Sequence, residues 1–214
     1  MNKDIQKILK VLEDKFSAGL TLDGPSLSAR TLPSDMFIAG FEEDREAGRQ
    51  AAVLIPLLAR ETGLSVFFTK RPEGMKEHPG QVSFPGGRHE GVDKSLIETA
   101  LREAHEEVGL APKLVRVVGQ LAPYRTITKY EVTPVIGLVD PSFKPILDSR
   151  EVDEVFEAPL AFFLEVANLK TRERLYQGKQ RPYYYFDYKE FHIWGATAAM
   201  MVNFREAVFA FARD

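Results

Sequence analysis

The stretch REAHEEVGL, residues 102–110, sets Glu103, Glu106 and Glu107 on little more than one helical turn. Side chains three and four apart on a helix are neighbours, so these like charges repel. Either that flank is merely solvated, or a cation sits on it. The surrounding residues predict a helix over 95–108. Ser95 with Glu98 three residues on makes a capping box, and Asp93 is the other candidate cap. At about 100° per residue, Ile97, Leu101, Ala104 and Val108 share one arc and the glutamates share another. Arg102 reaches Glu106 at i,i+4 and offsets part of the charge. Gly109 stands where a left-handed cap is expected. Three carboxylates on one turn suit a hard divalent cation, which takes oxygen ligands, keeps several waters and binds substrate phosphates.

Outward from that helix, the pattern alternates between strands and helices. AAVLIPLL (51–58) is a continuous apolar run of strand length, ETG (61–63) turns the chain, and LSVFFTKR (64–71) reads as the returning strand of a hairpin. RPEGMKEHPGQ (71–81) has loop composition, and VSFPGG (82–87) ends a short strand on a Gly-Gly turn. VRVVGQLA (115–122) and YEVTPVIGLV (130–139) are β-branched and strand-like. PLAFFLEVANL (159–169) reads as a helix, and RERLYQ (172–177) with PYYYFDYKEFHIW (182–194) as a second hairpin pair. Residues 196–212 form a closing helix with Met200, Met201, Phe204, Val208 and Phe211 as its buried stripe. Ile5, Ile8, Leu9, Leu12 and Phe16 predict an opening helix, and 18–49 an irregular connection. Residues 1–49 are thus a lead-in and 50–214 the main domain. Strands with helices before, between and after them give an α/β fold: a mixed β-sheet sandwiched between α-helices.

The chain has 214 residues, 44% of them hydrophobic, and a formal net charge of −3. No basic stripe is evident, which argues against nucleic acid as a partner. There is no cysteine, hence no disulfide framework and no thiolate zinc site. No apolar run approaches the roughly 20 residues of a membrane span, and the amphipathic start lacks the pattern of a secretory signal. A cytoplasmic location is expected. No P-loop and no GxGxxG following a strand is present, so neither a kinase nor a dehydrogenase is supported.

Read from the Gly-Gly turn, GGRHEGVDKSLIETALREAHEEVGL (86–110) resembles the Nudix box, G-x5-E-x7-R-E-U-x-E-E-x-G-U, with U aliphatic. Gly87, Arg102, Glu103, Ala104, Glu106, Glu107, Gly109 and Leu110 match. The span from Gly87 to Arg102 is one residue longer than the pattern, and the middle glutamate is absent, with Asp93 the nearest acid. Upstream, FFTKRPEGMKEHPGQVSFPGG (67–87) resembles the block L-L-T-x-R-S-x3-R-x3-G-x3-F-P-G-G of coenzyme A pyrophosphatases. Thr69, Arg71, Gly80, Phe84, Pro85, Gly86 and Gly87 match, while Pro72 replaces Ser and Lys76 replaces Arg. EVDEVFEAPL (151–160) and IWGATA (193–198) resemble later segments of that subfamily.

The resemblance implies a Nudix fold and a Mg2+- or Mn2+-dependent pyrophosphohydrolase. Its substrate would be a small nucleotide, coenzyme A or acyl-CoA, cut to 3′,5′-ADP and (acyl-)4′-phosphopantetheine. It assigns Glu103, Glu107, Glu106 and the Gly87 carbonyl to the metal. Glu106 and Arg102 join the catalytic set, and Glu154 is a candidate general base beside neighbouring Glu151. Arg71, Lys76, Arg88 and Phe84 would meet the substrate. His78 and His89 have no metal-ligand spacing. The family also implies a possible homodimer. Alternatives are another nucleoside diphosphate derivative such as ADP-ribose, or a non-catalytic nucleotide-binding module.

Overall fold

The apolar run at 51–58 becomes the hub of the main sheet. In the structure, a computed structural model, Lys10 and residues 49–211 are described, apart from 76, 127 and 177. The expected N-terminal helix, except for helical Lys10, and the lead-in up to residue 48 lie outside the described residues.

Strand β1 (Arg49–Arg60) turns through Glu61 and Thr62 into β2 (Gly63–Lys70), which pairs with it antiparallel from Arg60–Gly63 to Leu57–Val66. Two short strands, β3 (Val82–Ser83) and β4 (Gly86–Arg88), precede helix α1 (Leu96–Val108). Then come β5 (Val115–Gln120), β6 (Tyr124–Arg125), β7 (Tyr130–Val139) and β8 (Glu154–Pro159). β7 lies parallel to β1, in register from Arg49–Tyr130 to Leu58–Val139. The sheet runs β3-β2-β1-β7-β5, with β4 on β1, β6 on β7 and β8 on β2, all antiparallel except β1–β7. The mixed sheet expected from the sequence is therefore present.

A strand covered on both sides needs apolar residues at every position. β1 obeys this: Ala52, Leu54 and Leu58 face a cluster with Ala100, Ala104 and Val108 of α1. Ala51, Ile55 and Leu57 face the other cluster. That second cluster takes in α2 (Leu160–Leu164), α3 (Ala196–Phe211) and the inner side of a separate sheet. This second sheet is an antiparallel meander of β9 (Lys170–Tyr176), β10 (Lys179–Tyr188) and β11 (Phe191–Trp194). Stacked rings join the two sheets: Phe156 of β8 lies 3.6 Å from Phe191 of β11 and 5.2 Å from Phe68 of β2.

Two sequence expectations are corrected. Segment 182–194 holds two strands, because the chain reverses at Lys189, whose φ of 52° is left-handed. The helix expected over 159–169 stops at Leu164. Asn168 Nδ2 donates to the Phe162 carbonyl at 2.9 Å, so a side chain caps a group that a continuing helix would use. In α3, Met200, Met201, Phe204 and Val208 are buried as expected, while the side chain of Phe211 lies outside the described set.

Gly109 ends α1 at φ 70°, its N–H donating to the Ala104 and His105 carbonyls. An alanine there pays the left-handed penalty and presses on Ile146. Gly109→Ala should lower stability by about 1–2 kcal/mol, read as a lower urea midpoint at unchanged slope.

Candidate active site

Helix α1 begins as its sequence requires. The Ser95 hydroxyl accepts from the Glu98 N–H, and the Glu98 carboxylate accepts from the Lys94 N–H at 2.9 Å. Its far end is tied down by the segment that follows β7: Ile146 N–H donates to the Val108 carbonyl and Asp148 N–H to that of Glu107, both at 2.9 Å. The buried arc is rotated from the expected one. Thr99, Ala100, Ala104 and Val108 are fully buried, and Ile97 and Leu101 only half so. The rotation carries Glu107 to the inner side, where it is 5% exposed, while Glu103 is half-buried and Glu106 exposed.

The glutamates therefore differ. Burial, then the negative charges of Glu103 and Glu151, push the Glu107 carboxyl up to about 8. Against this stand the Gly86 N–H, which donates to its carboxylate at 3.4 Å, and the positive charge of Arg71. Glu103 is also raised, chiefly by burial, with Arg102 pulling the other way. Burying carboxylates side by side without compensation is unfavourable, so this corner of the fold carries unbalanced negative charge. Gly87 of β4, paired with Ala52 of β1, faces it so closely that a Cβ would collide with the Glu103 carboxylate.

Arg102 organises the outer flank. Its Nε and Nη2 donate to the two Asp93 oxygens at 2.9 and 3.1 Å, its Nη1 to Glu106 at 3.1 Å, and Nη2 also to the Arg88 carbonyl at 3.0 Å. Nη1 also lies 3.1 Å from Glu103. Asp93 stands six residues on from Gly87, at the place of the box's middle glutamate, so the added residue falls between it and Arg102. The guanidinium holds the Asp93 carboxyl well below its ordinary range, helped by the Glu90 N–H and the Thr99 hydroxyl. Asp93 is thus a clasp for the helix rather than its cap.

The remaining sequence candidates separate. Arg71 is half-buried, within electrostatic reach of Glu107, and its Nε is buried without a hydrogen-bond partner. Arg88 is exposed and stacks over the Tyr130 ring at 5.4 Å. Lys76 lies outside the described residues. Phe84 is corrected from a substrate-facing residue to a core one: its ring is 2% exposed and stacks on Phe68 at 5.1 Å. Its part is to anchor the Pro85–Gly86–Gly87 turn. Of the late acids, Glu151 bears electrostatically on both Glu103 and Glu107. Glu154 sits exposed on β8, 3.8 Å from Lys70 Nζ. His89 Nδ1 contacts the Thr99 hydroxyl at 2.9 Å, supporting the loop.

Among the described residues, no three His, Asp or Glu side chains are already gathered as a closed metal cage. The donor chemistry nonetheless fits a divalent cation that completes its shell with water. Two carboxylates raised by burial, with their nearby guanidiniums offsetting this only in part, lie against a glycine backbone.

Comparison with known proteins identifies the family. The NUDIX domain pattern matches residues 48–186, and the chain belongs to the Nudix family of hydrolases, which act on phosphoanhydrides of small nucleotide substrates and generally use divalent metal ions. It is 41% identical over 153 residues to the uncharacterized Nudix hydrolase NudL of Enterobacter sp. (strain 638), covering 72% of this chain and 79% of that protein. It is 42% identical over 169 residues to the mitochondrial Nudix hydrolase 15 of Arabidopsis thaliana, covering 76% of this chain and 59% of the plant protein. The Nudix hydrolase RenU of M. Smegmatis shares the fold, with a TM-score of 0.53 and 20% identity over 75% of this chain and 86% of that one. No helix of the described residues is long and apolar enough to cross a membrane.

Two outcomes follow from these contacts. An acid raised by folding costs stability once the unfolded carboxyl ionises, from about pH 4.5 upward, and the cost is complete above about pH 8. With chelator present, Glu107→Gln should therefore melt higher than the parent at about pH 9, and the gap should close toward about pH 5. Separately, Arg102→Ala leaves Asp93 buried and unpaired, a loss of about 3 kcal/mol in denaturant titrations. Arg102→Lys should recover only part, lacking the two-pronged contact.

Proposed function

We propose that this Nudix hydrolase cleaves the diphosphate of coenzyme A or acyl-CoA to 3′,5′-ADP and (acyl-)4′-phosphopantetheine. The observation that carries the reading is the meeting of three groups at one turn: the buried Glu107 carboxylate accepts from the Gly86 N–H, and Arg71 lies within electrostatic reach of it. The upstream block that resembles coenzyme A pyrophosphatases supplies both Arg71 and the turn. It thereby joins a cationic group for phosphate oxygens to an anionic group for metal.

Glu103 and Glu107 are the carboxylates that hold Mg2+ or Mn2+, with the carbonyl of Gly87 as a third oxygen. When bound, the ion supplies Lewis-acid polarisation of the phosphate oxygens and a more acidic water. In hydrolysis, the oxygen of a water forms a bond to one phosphorus, and the bridging oxygen leaves with the other phosphate. Glu151, which bears electrostatically on Glu103 and Glu107, is the base assigned to take the water's proton; Glu106, held by Arg102, and Glu154 are the competing candidates. Arg71 offsets charge on the transferring phosphoryl oxygens, where fixed cations act most strongly. Arg88, exposed beside the turn, is assigned to the outer phosphate, and Lys76 to the same phosphates from its motif position. Arg102 positions Glu103 and Glu106 from behind.

A second substrate, ADP-ribose, is favoured by Pro72 and Lys76, which depart from the coenzyme A block. Assaying coenzyme A, acetyl-CoA, ADP-ribose and dinucleoside polyphosphates side by side with Mg2+ decides between them. The proposal expects the highest kcat/KM for a coenzyme A species; a preference for ADP-ribose overturns it.

Glu107→Gln and Glu103→Gln should each cut turnover by about a thousandfold or more, with cooperative unfolding retained. Calorimetry should find Mg2+ or Mn2+ uptake by the parent in the presence of a non-hydrolysable diphosphate, and weakened uptake by both variants.

A further inference from the structure

The outer side of the second sheet carries an arrangement that the chemistry at α1 does not use. Paired residues on adjacent antiparallel strands project to the same side. Lys170 pairs with Tyr185, Arg172 with Tyr183 and Arg174 with Arg181; Tyr185 in turn pairs with Trp194. Their β10 neighbours Tyr184 and Phe186 face inward, Phe186 in the core. Basic and aromatic residues thus line one side together. Arg172 lies over the Tyr185 ring at 5.1 Å, Arg174 over Trp194 at 5.6 Å and Lys170 over Tyr185 at 5.7 Å. Tyr183 and Trp194 meet edge to face at 5.8 Å.

Arg172 and Arg174 are exposed, and Tyr183 and Trp194 half-exposed. The carboxylate on this side, Asp187, is engaged by Lys170 at 2.9 Å and His192 at 2.7 Å. Glu173 points to the opposite side, since it alternates with Arg172 and Arg174 along the strand. Like charges directly opposite each other on adjacent strands are destabilising, and Arg174 faces Arg181 in that way. Aromatic rings beside guanidiniums stack flat bases and attract phosphate.

The patch is linked to the candidate active site through β3. Trp194 ends β11, and at the next residue, Gly195, an added Cβ would lie 3.7 Å from the Gln81 side-chain nitrogen, so the two are close. Gln81 in turn accepts the Arg71 N–H at its carbonyl, at 3.0 Å. Thr197 holds β3 through the Val82 carbonyl at 3.0 Å.

We propose that this outer side, centred on Trp194, Tyr183, Arg172 and Arg174, binds the base-and-phosphate end of the nucleotide substrate while its diphosphate lies at α1. A base stacks on Trp194 in place of the Arg174 guanidinium, with the Tyr183 ring at its edge, and Arg174 and Arg172 turn to a phosphate on the ribose. The proposal rests on the hydrolase reading for the other end of the same molecule, but its test does not need turnover.

Trp194 is the single tryptophan of the chain, so its fluorescence reports occupancy directly. The full-length protein, without metal, is titrated with adenosine 3′,5′-bisphosphate, and in parallel with adenosine, inorganic phosphate and a single-stranded oligonucleotide. The bisphosphate should quench Trp194 saturably, and the double variant Arg172→Ala/Arg174→Ala, matched to the parent by melting temperature, should bind it about tenfold or more weakly. With the hydrolysed substrate, the same variant should raise KM by a similar factor and keep kcat. No saturable quenching, equal binding by the variant, or tighter binding of the oligonucleotide than of the bisphosphate each overturns the proposal. A protein that binds the bisphosphate in this way but hydrolyses no diphosphate overturns the hydrolase reading and leaves this one standing.

Discussion

Glu107 lies with its carboxylate shut beneath the Gly86–Gly87 turn, and much of the surrounding architecture is arranged around that burial. α1 presents Ala100, Ala104 and Val108 to β1 on one side of the main sheet, and the small residues let the helix sit low. Sitting low brings Glu107 inside. The turn that meets it is fixed from two directions: Gly86 and Gly87 are bonded to β1 as β4, and Phe84 is locked into the opposite cluster. The acid and the turn therefore meet through two cores that share β1 as their common wall.

The pieces that keep the acids in place are separate from the acids themselves. Asp93 and Arg102 tie the approach loop to the outer flank of the helix, and the same guanidinium restrains Glu106. The 146–152 segment tethers the helix end through two backbone hydrogen bonds and then brings Glu151 alongside. A buried ion pair with both partners multiply hydrogen-bonded is costly to break one partner at a time. That property favours a fixed spacing between helix and turn over greater overall stability.

The hairpin of β1 and β2, the parallel-sheet strand β7 and the helix with both caps were legible because their signals are local. A continuous apolar run, a Gly in the left-handed region and a Ser-x-x-Glu start each depend on few residues. The site was legible as a set of glutamates but not as unequal ones. Amphipathic periodicity put Ile97 and Leu101 on the inner arc, whereas the close approach to β1 admits Ala100 and Thr99 instead and turns Glu107 inward. Asp93 was visible only as a misplaced acid, since its partner lies across a loop. Phe84 belonged to a motif and was read with it, though motif membership does not separate an anchor from a contact. The basic-aromatic side of the second sheet escaped because its residues are dispersed; the alternation in KTRER and RPYYY, read at period two and overlaid across strands, is the signal that reveals it.

The contact between Gly87 and Glu103 constrains both positions. No side chain fits at the first position while the second holds its carboxylate there. A shorter acid at 103 would make room for one, but would also withdraw the oxygen from the turn. A side chain at 87 would likewise push that oxygen away, so a change at either position acts on the same contact.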